Sequence, residues 1–215
     1  MKQILHTLFI VLILTPVISQ NNEKYPQKMK ETIDQLYQAN TIDELQKAAN
    51  GFERIGVMEK DQWHPGYYSA FAHIQMASMT ESNAEKDKLL DKALDIIKSL
   101  KNIEAQNSEI LTLEGFLHML RITIDPATRG QHYSGLSFEA LHHAARIDPD
   151  NPRTQYVLAN MQMGTARFFG QGLEDSCSTL KKAIDLFESS DPKSKLDPTW
   201  GLEWAKSLEF NCQGN

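Results

Sequence analysis

Glu139, His142 and His143 are residues whose types and spacing could support chemistry. Glu139 and His142 form an E-x-x-H pair, and this spacing places both side chains on one helical face, as in di-iron carboxylate bundles. Such a site needs a second E-x-x-H and two more glutamates, which the sequence does not arrange. His143 also points about 100° away from His142 on a helix. We therefore predict no metal site and no cofactor, with both histidines at the surface or between helices.

Other catalytic motifs are missing from the sequence. It contains no G-x-S-x-G nucleophile elbow, no H-E-x-x-H and no Cys–His zinc spacing. The stretch FFGQG at 168–172 is not a phosphate loop, because such a loop follows a strand. It is either a turn whose Phe168 and Phe169 pack inward or an exposed contact for a partner. We predict that the protein is not an enzyme, and a reaction using Glu139 and His142 is the weakest alternative.

The first 19 residues have the features of a signal peptide. A lysine near the start, a short apolar run and a small residue at Ser19 predict cleavage between Ser19 and Gln20 and export, most simply to the periplasm. We expect residues 20–24 to be flexible and 25–215 to form one domain. The apolar run is shorter than the roughly 20 residues that span a bilayer, so the mature chain should contain no membrane span.

The charge of the chain restricts its partners. The net charge of −6 becomes −7 when Lys2 is removed with the signal peptide. An acidic chain without a basic block argues against nucleic acid and against anionic membrane surfaces. A protein or peptide partner, or a small ligand, remains. The sequence does not indicate an oligomeric state.

Apolar residues recur at spacings of three and four in every long segment, and no segment alternates as a strand would. Thr41 is a plausible N-cap for one of these helices. The patterns predict an all-α chain of about nine helices, at 26–39, 41–56, 65–79, 83–101, 108–123, 135–147, 152–167, 174–190 and 198–211.

The helices repeat in pairs. The segments PGYYSAFAHIQMA from Pro65 and PRTQYVLANMQMG from Pro152 align without a gap, and segments from Ser108 and Pro198 fit the same frame more loosely. Proline suits the first helical position because its missing N–H would have no partner there. A second helix follows each of the first three segments. Its small packing residue is Ala93, Ala144 or Ala183, with a leucine three residues earlier.

This arrangement resembles the tetratricopeptide repeat (TPR). Leu158 and Ala159 take the Leu-Gly-like positions of the first helix, Leu141 and Ala144 those of the second, and Pro149 that of the closing proline. The spacing of the units exceeds the family's ~34 residues by about ten. The additions lie at 123–137 and 168–176.

Several short stretches, among them DPATRGQHYSGLS, DPDNPR, FFGQG and DPTWG, are similar to a group of exported TPR-like proteins of Bacteroidota without an assigned activity. The resemblance implies a right-handed α–α superhelix in which the last helix caps the open end. It implies no reaction.

Cys177 and Cys212 are predicted to form a disulfide. If consecutive helices run antiparallel, the start of the eighth helix lies beside the end of the ninth, where these cysteines are placed. Export also permits disulfides. In the loop-entropy model such a bond stabilises the fold by about 3–4 kcal/mol.

The repeat frame also indicates a concave binding groove, since stacked helix pairs present one by geometry. Met76, Met119 and Met163 share position 12 of the first helices, and methionine suits a surface that accommodates varied apolar partners. Burial between the units is the equal alternative. The leading hypothesis is therefore a scaffold that binds a peptide or protein along its groove. The other residues predicted to line it are His73, Phe116, Arg153, Tyr156 and Asn160.

The alternative hypothesis is a small-ligand or glycan site. Trp63, Tyr67 and Tyr68 could stack on a sugar, although helix packing is the simpler explanation for them and for Trp200 and Trp204. In a polar loop held by the scaffold, functional residues are common. Such a loop is predicted at 129–133, where Arg129, His132 and Tyr133 could engage a carboxylate or glycan or bond within the loop.

Overall fold

A computed structural model describes residues 19–212 of the chain, and the predicted signal peptide lies outside these residues except for Ser19. Within this part the chain forms nine α-helices, a final 3-10 turn and no strand. None of these helices combines the length and apolar composition that crossing a bilayer requires. The helices are α1 Ser19–Gln38, α2 Ile42–Met58, α3 Trp63–Met79, α4 Asn83–Ile103, α5 Ser108–Ile124, α6 Pro126–Ile147, α7 Pro152–Phe168, α8 Glu174–Ser189 and α9 Leu202–Glu209, and the 3-10 turn is Phe210–Cys212.

The helix starts follow local capping chemistry. Thr41 caps α2 as predicted: its hydroxyl accepts a hydrogen bond from the Glu44 amide, while the Glu44 carboxylate accepts one from the Thr41 amide. At the start of α7, the side chain of Asn151 accepts hydrogen bonds from two amides and Pro152 takes the first turn. The repeat boundaries therefore coincide with residues that end one helix and begin the next.

Consecutive helices pack against one another, and the first helices α3, α5 and α7 also contact each other in order. The crossings depend on small residues. A Cβ atom added to Gly115 would lie 2.5 Å from Leu141 Cγ, so α5 and α6 approach closely only because that residue is glycine. The repeat positions predicted to be small are fully buried: Ala93, Ala144, Ala159 and Ala183. The TPR-like all-α superhelix is confirmed.

Two helices, α1 and α6, begin at least seven residues earlier than predicted, and α3 begins two residues earlier. Helix α1 includes residues 20–24, for which the sequence predicted a flexible terminus. Helix α6 begins at Pro126 and not at 135, because Asp125 caps it and because Arg129 in its second turn binds Asp87 of α4. The addition at 123–137 is thus mostly helix, and the predicted 129–133 loop is wrong.

The last predicted helix differs most. In place of a helix over 198–211, an irregular segment runs from 190 to 201 and α9 covers only eight residues. Gly201 ends the irregular segment with φ +119, a conformation that favours glycine. A Cβ atom there would also lie 2.6 Å from Cζ of Phe187. This C-terminal segment does not extend the stack as a fourth first helix.

Candidate functional site

The irregular C-terminal segment crosses the side of the superhelix formed by α1, α3, α5 and α7. Its attachment is specific, because side chains from α1 and α3 bond to four separate residues of it. The hydrogen bonds are Tyr68 Oη to Leu196 O (2.9 Å), His64 Nε2 with Asp197 Oδ1 (3.0 Å), Thr199 N to Tyr37 Oη (3.1 Å) and Trp200 Nε1 to Tyr67 Oη (2.9 Å).

Aromatic rings hold the end of the segment against the first helices. The Trp200 ring stacks on Phe71 of α3, with centroids 5.1 Å apart and planes at 15°, and on Phe116 of α5 at 5.7 Å and 26°. Trp204, the next aromatic residue, lies 5.4 Å from Trp200 and 6.5 Å from Tyr156 of α7. Trp200 is buried, while Trp204 is only partly buried. We call Phe71, Phe116, Trp200 and Trp204 the aromatic cluster.

A cleft of about 580 Å³ opens beside this cluster, between α1, the C-terminal half of α3 and the segment 199–204. Tyr37 and Met79 are 40 % and 46 % exposed in its wall. Glu203 is the only lining residue with an ionisable carboxylate, and none of the lining residues is lysine, arginine or histidine. The residues that line it are Leu36, Tyr37, Ala39, Leu45, Phe71, Gln75, Ser78, Met79, Thr199, Trp200, Gly201, Leu202, Glu203 and Trp204.

The cleft has the composition of a small-ligand site. Ligand pockets are typically 300–1,000 Å³ and are walled mainly by apolar and aromatic side chains with a few polar groups. Here the polar groups are Gln75, Ser78, Thr199, the Glu203 carboxylate and the Tyr37 hydroxyl, against aromatic and aliphatic walls. Such a surface favours a flat apolar molecule that stacks on the rings.

A second cleft, of about 600 Å³, lies on the other side of residues Thr199 and Leu202, where the N-terminal ends of α5 and α7 meet the irregular segment. Its wall contains the Arg153–Glu109 pair, in which Arg153 Nε and Nη2 donate to the two carboxylate oxygens at 2.8 and 2.7 Å. The guanidinium of Arg153 is thus engaged within the protein.

The structure contradicts part of the predicted groove. Met76, Met163 and His73 are each 1 % exposed, so these side chains do not offer an accessible surface. His73 Nδ1 instead bonds the Ser69 carbonyl, and burial lowers the pKa of His73. Met119 is partly buried against the core. The three methionines of the repeat therefore lie mainly in the interior, in agreement with the alternative of burial between the units.

Two predicted residues do lie near the aromatic cluster. Phe116 stacks on Trp200, and Tyr156 lies against Trp204. Burial raises the pKa of Tyr156 to about 12, while a hydrogen bond with Asn160 opposes this shift. The sequence did not predict Phe71, Tyr37 or Met79 at a site. The repeat frame does not indicate them, because it places the segment that forms the opposite wall of the cleft in a fourth repeat.

The predicted aromatic site near Trp63 is mostly interior. Tyr67 and Tyr68 are fully buried, and the partly buried Trp63 ring stacks on His64 at 3.9 Å. Buried rings cannot stack on a glycan, so this form of the small-ligand hypothesis loses its support. Phe168 and Phe169 are exposed, at 76 % and 66 %.

The residues predicted in a loop, Arg129, His132 and Tyr133, instead belong to a network at the junction of α4, α5 and α6. Arg129 binds the Asp87 carboxylate through both terminal nitrogens, at 2.6 and 2.8 Å. This hydrogen bonding lowers the pKa of Asp87. The Tyr133 ring stacks on His118 and lies 5.6 Å from the Arg121 guanidinium. The ring of His132 packs edge-on against Tyr133.

Glu139 and His142 do not form a site in the structure. Both are exposed, and the His142 ring stacks on Phe138 of the same helix at 5.9 Å. Among the side chains that the structure describes, within residues 24–212, no three His, Cys, Asp or Glu residues are grouped so as to hold a metal ion.

The predicted disulfide is confirmed. Cys177 in the first turn of α8 is bonded to Cys212 at the end of the 3-10 turn, with Cα atoms 5.8 Å apart. The bond ties the end of the C-terminal segment to the superhelix. A disulfide of this kind is typical of proteins in oxidising compartments.

Comparison with solved structures supports the fold. The protein is similar to the HusA haemophore from Porphyromonas gingivalis, with a TM-score of 0.79 and 25% sequence identity over 88% of this chain and 92% of that one. It is also similar in fold to TTC0263, a TPR protein of Thermus thermophilus, with a TM-score of 0.55 and 12% identity over 79% and 87% of the two chains. No protein-family model and no curated protein matches the sequence.

Proposed function

We propose that this protein is an exported, non-enzymatic carrier that binds haem or a related tetrapyrrole in the cleft beside the aromatic cluster. The observation that carries the proposal is the cleft itself, whose walls include Phe71, Trp200 and Trp204 and which is of the size of a small-ligand site. The structural similarity to a haemophore supports the same ligand class.

The residues fit a tetrapyrrole ring better than they fit its iron. Flat aromatic side chains bind a flat macrocycle by offset stacking, and Trp204 is partly exposed for such a contact. Histidine and cysteine, two frequent iron ligands, are not among the lining residues. Met79, Tyr37 and Glu203 are the lining residues with groups that can bind iron. Tyr37 Oη already accepts a hydrogen bond from the Thr199 amide, and Glu203 is exposed. Burial of the ring therefore provides the affinity in this proposal.

Charge places the ligand's carboxylates outward. Glu203 is the one ionisable side chain besides tyrosine in the cleft wall, and it is exposed. Carboxylates lose their hydration when they are buried, and no lining lysine, arginine or histidine could pair with the propionates of haem inside the cleft. The apolar edge of the macrocycle should enter first, with both propionates in solvent.

A peptide along the whole first-helix side, the hypothesis favoured by the sequence, has less support. The segment 196–204 already lies there and is held by four side-chain hydrogen bonds and two stacked rings. A peptide partner would have to displace it. A small ligand can enter the cleft with the segment in place.

Titration of the protein with haemin and with iron-free protoporphyrin IX tests the proposal, followed by the Soret band and by tryptophan fluorescence. Both should bind with similar affinity, because stacking does not need iron. Trp204→Ala should weaken both about fivefold or more, since stacking of a flat ring on an aromatic side chain contributes about 1–3 kcal/mol. Phe168→Ala, which removes an exposed ring outside the cleft, is the matched control and should bind as the wild type does.

Two outcomes would overturn the proposal in different ways. If neither porphyrin binds, the protein is not a tetrapyrrole carrier. If only haemin binds and Met79→Leu or Tyr37→Phe abolishes its binding, iron coordination and not ring stacking provides the affinity.

A further inference from the structure

One wall of the proposed cleft does not belong to the superhelix. Residues 199–204 contribute six of the lining residues, and they lie in the C-terminal segment. We call residues 190–212 the C-terminal clasp. The position of this clasp decides whether the cleft is closed on that side.

The two halves of the clasp are held differently. The first half, up to Trp200, is attached by hydrogen bonds to α1 and α3 and by stacking of its buried indole. The second half is α9, in which Ala205 is the only buried residue. A helix of eight residues is not stable alone in water, so α9 depends on what ties it down.

Apolar packing holds α9 through the buried Ala205 and through Leu202 and Leu208, which pack against the core. Two further contacts link α9 and the turn that follows it to α8. Lys206 Nζ lies 2.8 Å from Glu188 Oε1, but both side chains are about half exposed, and exposed pairs of this kind contribute little. The other contact is the Cys177–Cys212 disulfide, which follows α9 by one 3-10 turn.

Ring contacts with Phe71, Phe116 and Trp200 hold Trp204 at the start of α9. The disulfide holds the other end, where Phe210 and Asn211 are exposed and packing is weakest.

The disulfide lies near the surface of the protein. Cys177 and Cys212 are both partly exposed, and both also pack against the core. Thiol–disulfide exchange proceeds by attack of a thiolate on one sulfur through a mixed disulfide. With a dithiol reductant, the second thiol resolves the mixed disulfide. The reductant leaves as its own disulfide, and two electrons and two protons convert Cys177 and Cys212 to thiols.

We infer that the disulfide is a redox-sensitive latch on the ligand cleft. With the bond intact, α9 holds Trp204 in the cleft wall. Reduction by a dithiol loosens α9 from its C-terminal end while Trp200 stays anchored, so Trp204 is held less firmly in the cleft wall and the ligand is released more readily. The ligand part of this inference rests on the proposed tetrapyrrole binding, whereas the loosening of α9 does not.

Hydrogen exchange tests the latch without any ligand. In the wild-type protein, reduction by dithiothreitol should speed amide exchange in residues 203–209 at least tenfold and leave the central turns of α3 and α5 unchanged. The variant C177S/C212S should exchange rapidly in α9 with or without the reductant, and far-UV circular dichroism should show that its superhelix remains folded. Unchanged exchange in α9 on reduction, or loss of the whole superhelix, would overturn the latch.

Porphyrin affinity then tests whether the state of the disulfide affects ligand binding. The oxidised wild type should bind iron-free protoporphyrin IX at least fivefold more tightly than the reduced wild type or C177S/C212S. Iron-free porphyrin is the probe because the reductant cannot alter its metal. Equal affinity of the oxidised and reduced forms would overturn the latch but leave the proposed function standing. Failure of the oxidised form to bind would overturn the proposed function, and the exchange result would still decide the loosening of α9.

Discussion

Two parts of this protein are built around stacked rings, and they differ in what the rings face. In the aromatic cluster, Trp200 stacks on Phe71 and Phe116, and the cluster borders an open cleft. At the α4–α6 junction, Tyr133 stacks on His118 and carries the Arg121 guanidinium over its ring. We call Asp87, Asp91, His118, Arg121, Arg129 and Tyr133 the ionic network. The aromatic cluster leaves apolar surface available to a ligand, whereas the side chains of the ionic network are engaged in contacts within the protein.

The chain separations explain this difference. The Trp200–Tyr67 hydrogen bond joins residues 133 positions apart, whereas Arg121 and Asp87 are 34 positions apart. The ionic network therefore connects neighbouring helix pairs, as a repeat protein requires. The aromatic cluster instead brings the end of the chain back onto α3. A binding site can form there because the returning segment covers the helices without filling all the space between them.

The largest effect should come from Trp200, which joins the clasp to the superhelix. Trp200→Ala should lower the free energy of unfolding by about 3–5 kcal/mol, because it removes a buried indole and leaves a cavity. Urea unfolding followed by far-UV circular dichroism measures this. Phe168→Ala is the control and should change stability by less than about 0.5 kcal/mol, since its ring is exposed. A loss below about 1 kcal/mol for Trp200→Ala would mean that the clasp contributes little to the fold.

Arg121 should have the next largest effect, on stability alone. Its side chain is 6% exposed and pairs with Asp87 and Asp91. Arg121→Ala should cost about 2–4 kcal/mol, somewhat less than a fully buried pair because the carboxylates can be rehydrated. Arg129→Ala, at a more exposed position in the same network, should cost about 1 kcal/mol. Porphyrin affinity of the folded variants should equal that of the wild type. A change in porphyrin affinity would contradict this prediction, because it would show that the ionic network influences the cleft.

The smallest effect is a pH dependence of the ionic network. Burial, with the positive charges of Arg121, His132 and Lys101, lowers the pKa of His118 from 6.5 to about 4. As the pH falls, His118 is therefore protonated in the unfolded chain before it is protonated in the folded protein. The neutral imidazole contributes at most about 3 kcal/mol to the free energy of unfolding. This contribution is fully present above pH 6.5 and is lost as the pH falls towards 4.

Urea unfolding at several pH values between about 7 and 4 measures this contribution. The variant His118→Gln should lose less stability than the wild type over this range. His142→Gln, at an exposed histidine, is the control and should follow the wild-type curve. If His118→Gln and wild type show the same pH dependence, the titration of His118 does not govern the acid stability of the network.

The sequence by itself determined the repeat architecture. Helix periodicity, the spacing of the aligned segments and small residues such as Ala144 and Ala159 predicted the stack, because these positions pack against close neighbours in the chain. The disulfide was predictable for the same reason. Antiparallel helices place the start of α8 beside the end of α9, whatever lies between them.

Only the tertiary structure decided where the cleft lies. The segment from Pro198 matches a first helix in the repeat frame, and nothing in its local pattern shows that it turns back across α3. That path depends on contacts with distant residues, such as Tyr37 and Phe71, and on the positive φ of Gly201. Local pattern also could not show that Met76 and Met163 are buried, because a residue's position in the repeat does not determine what packs over it. The cleft arises from long-range packing, and this information is not present in any single stretch of the chain.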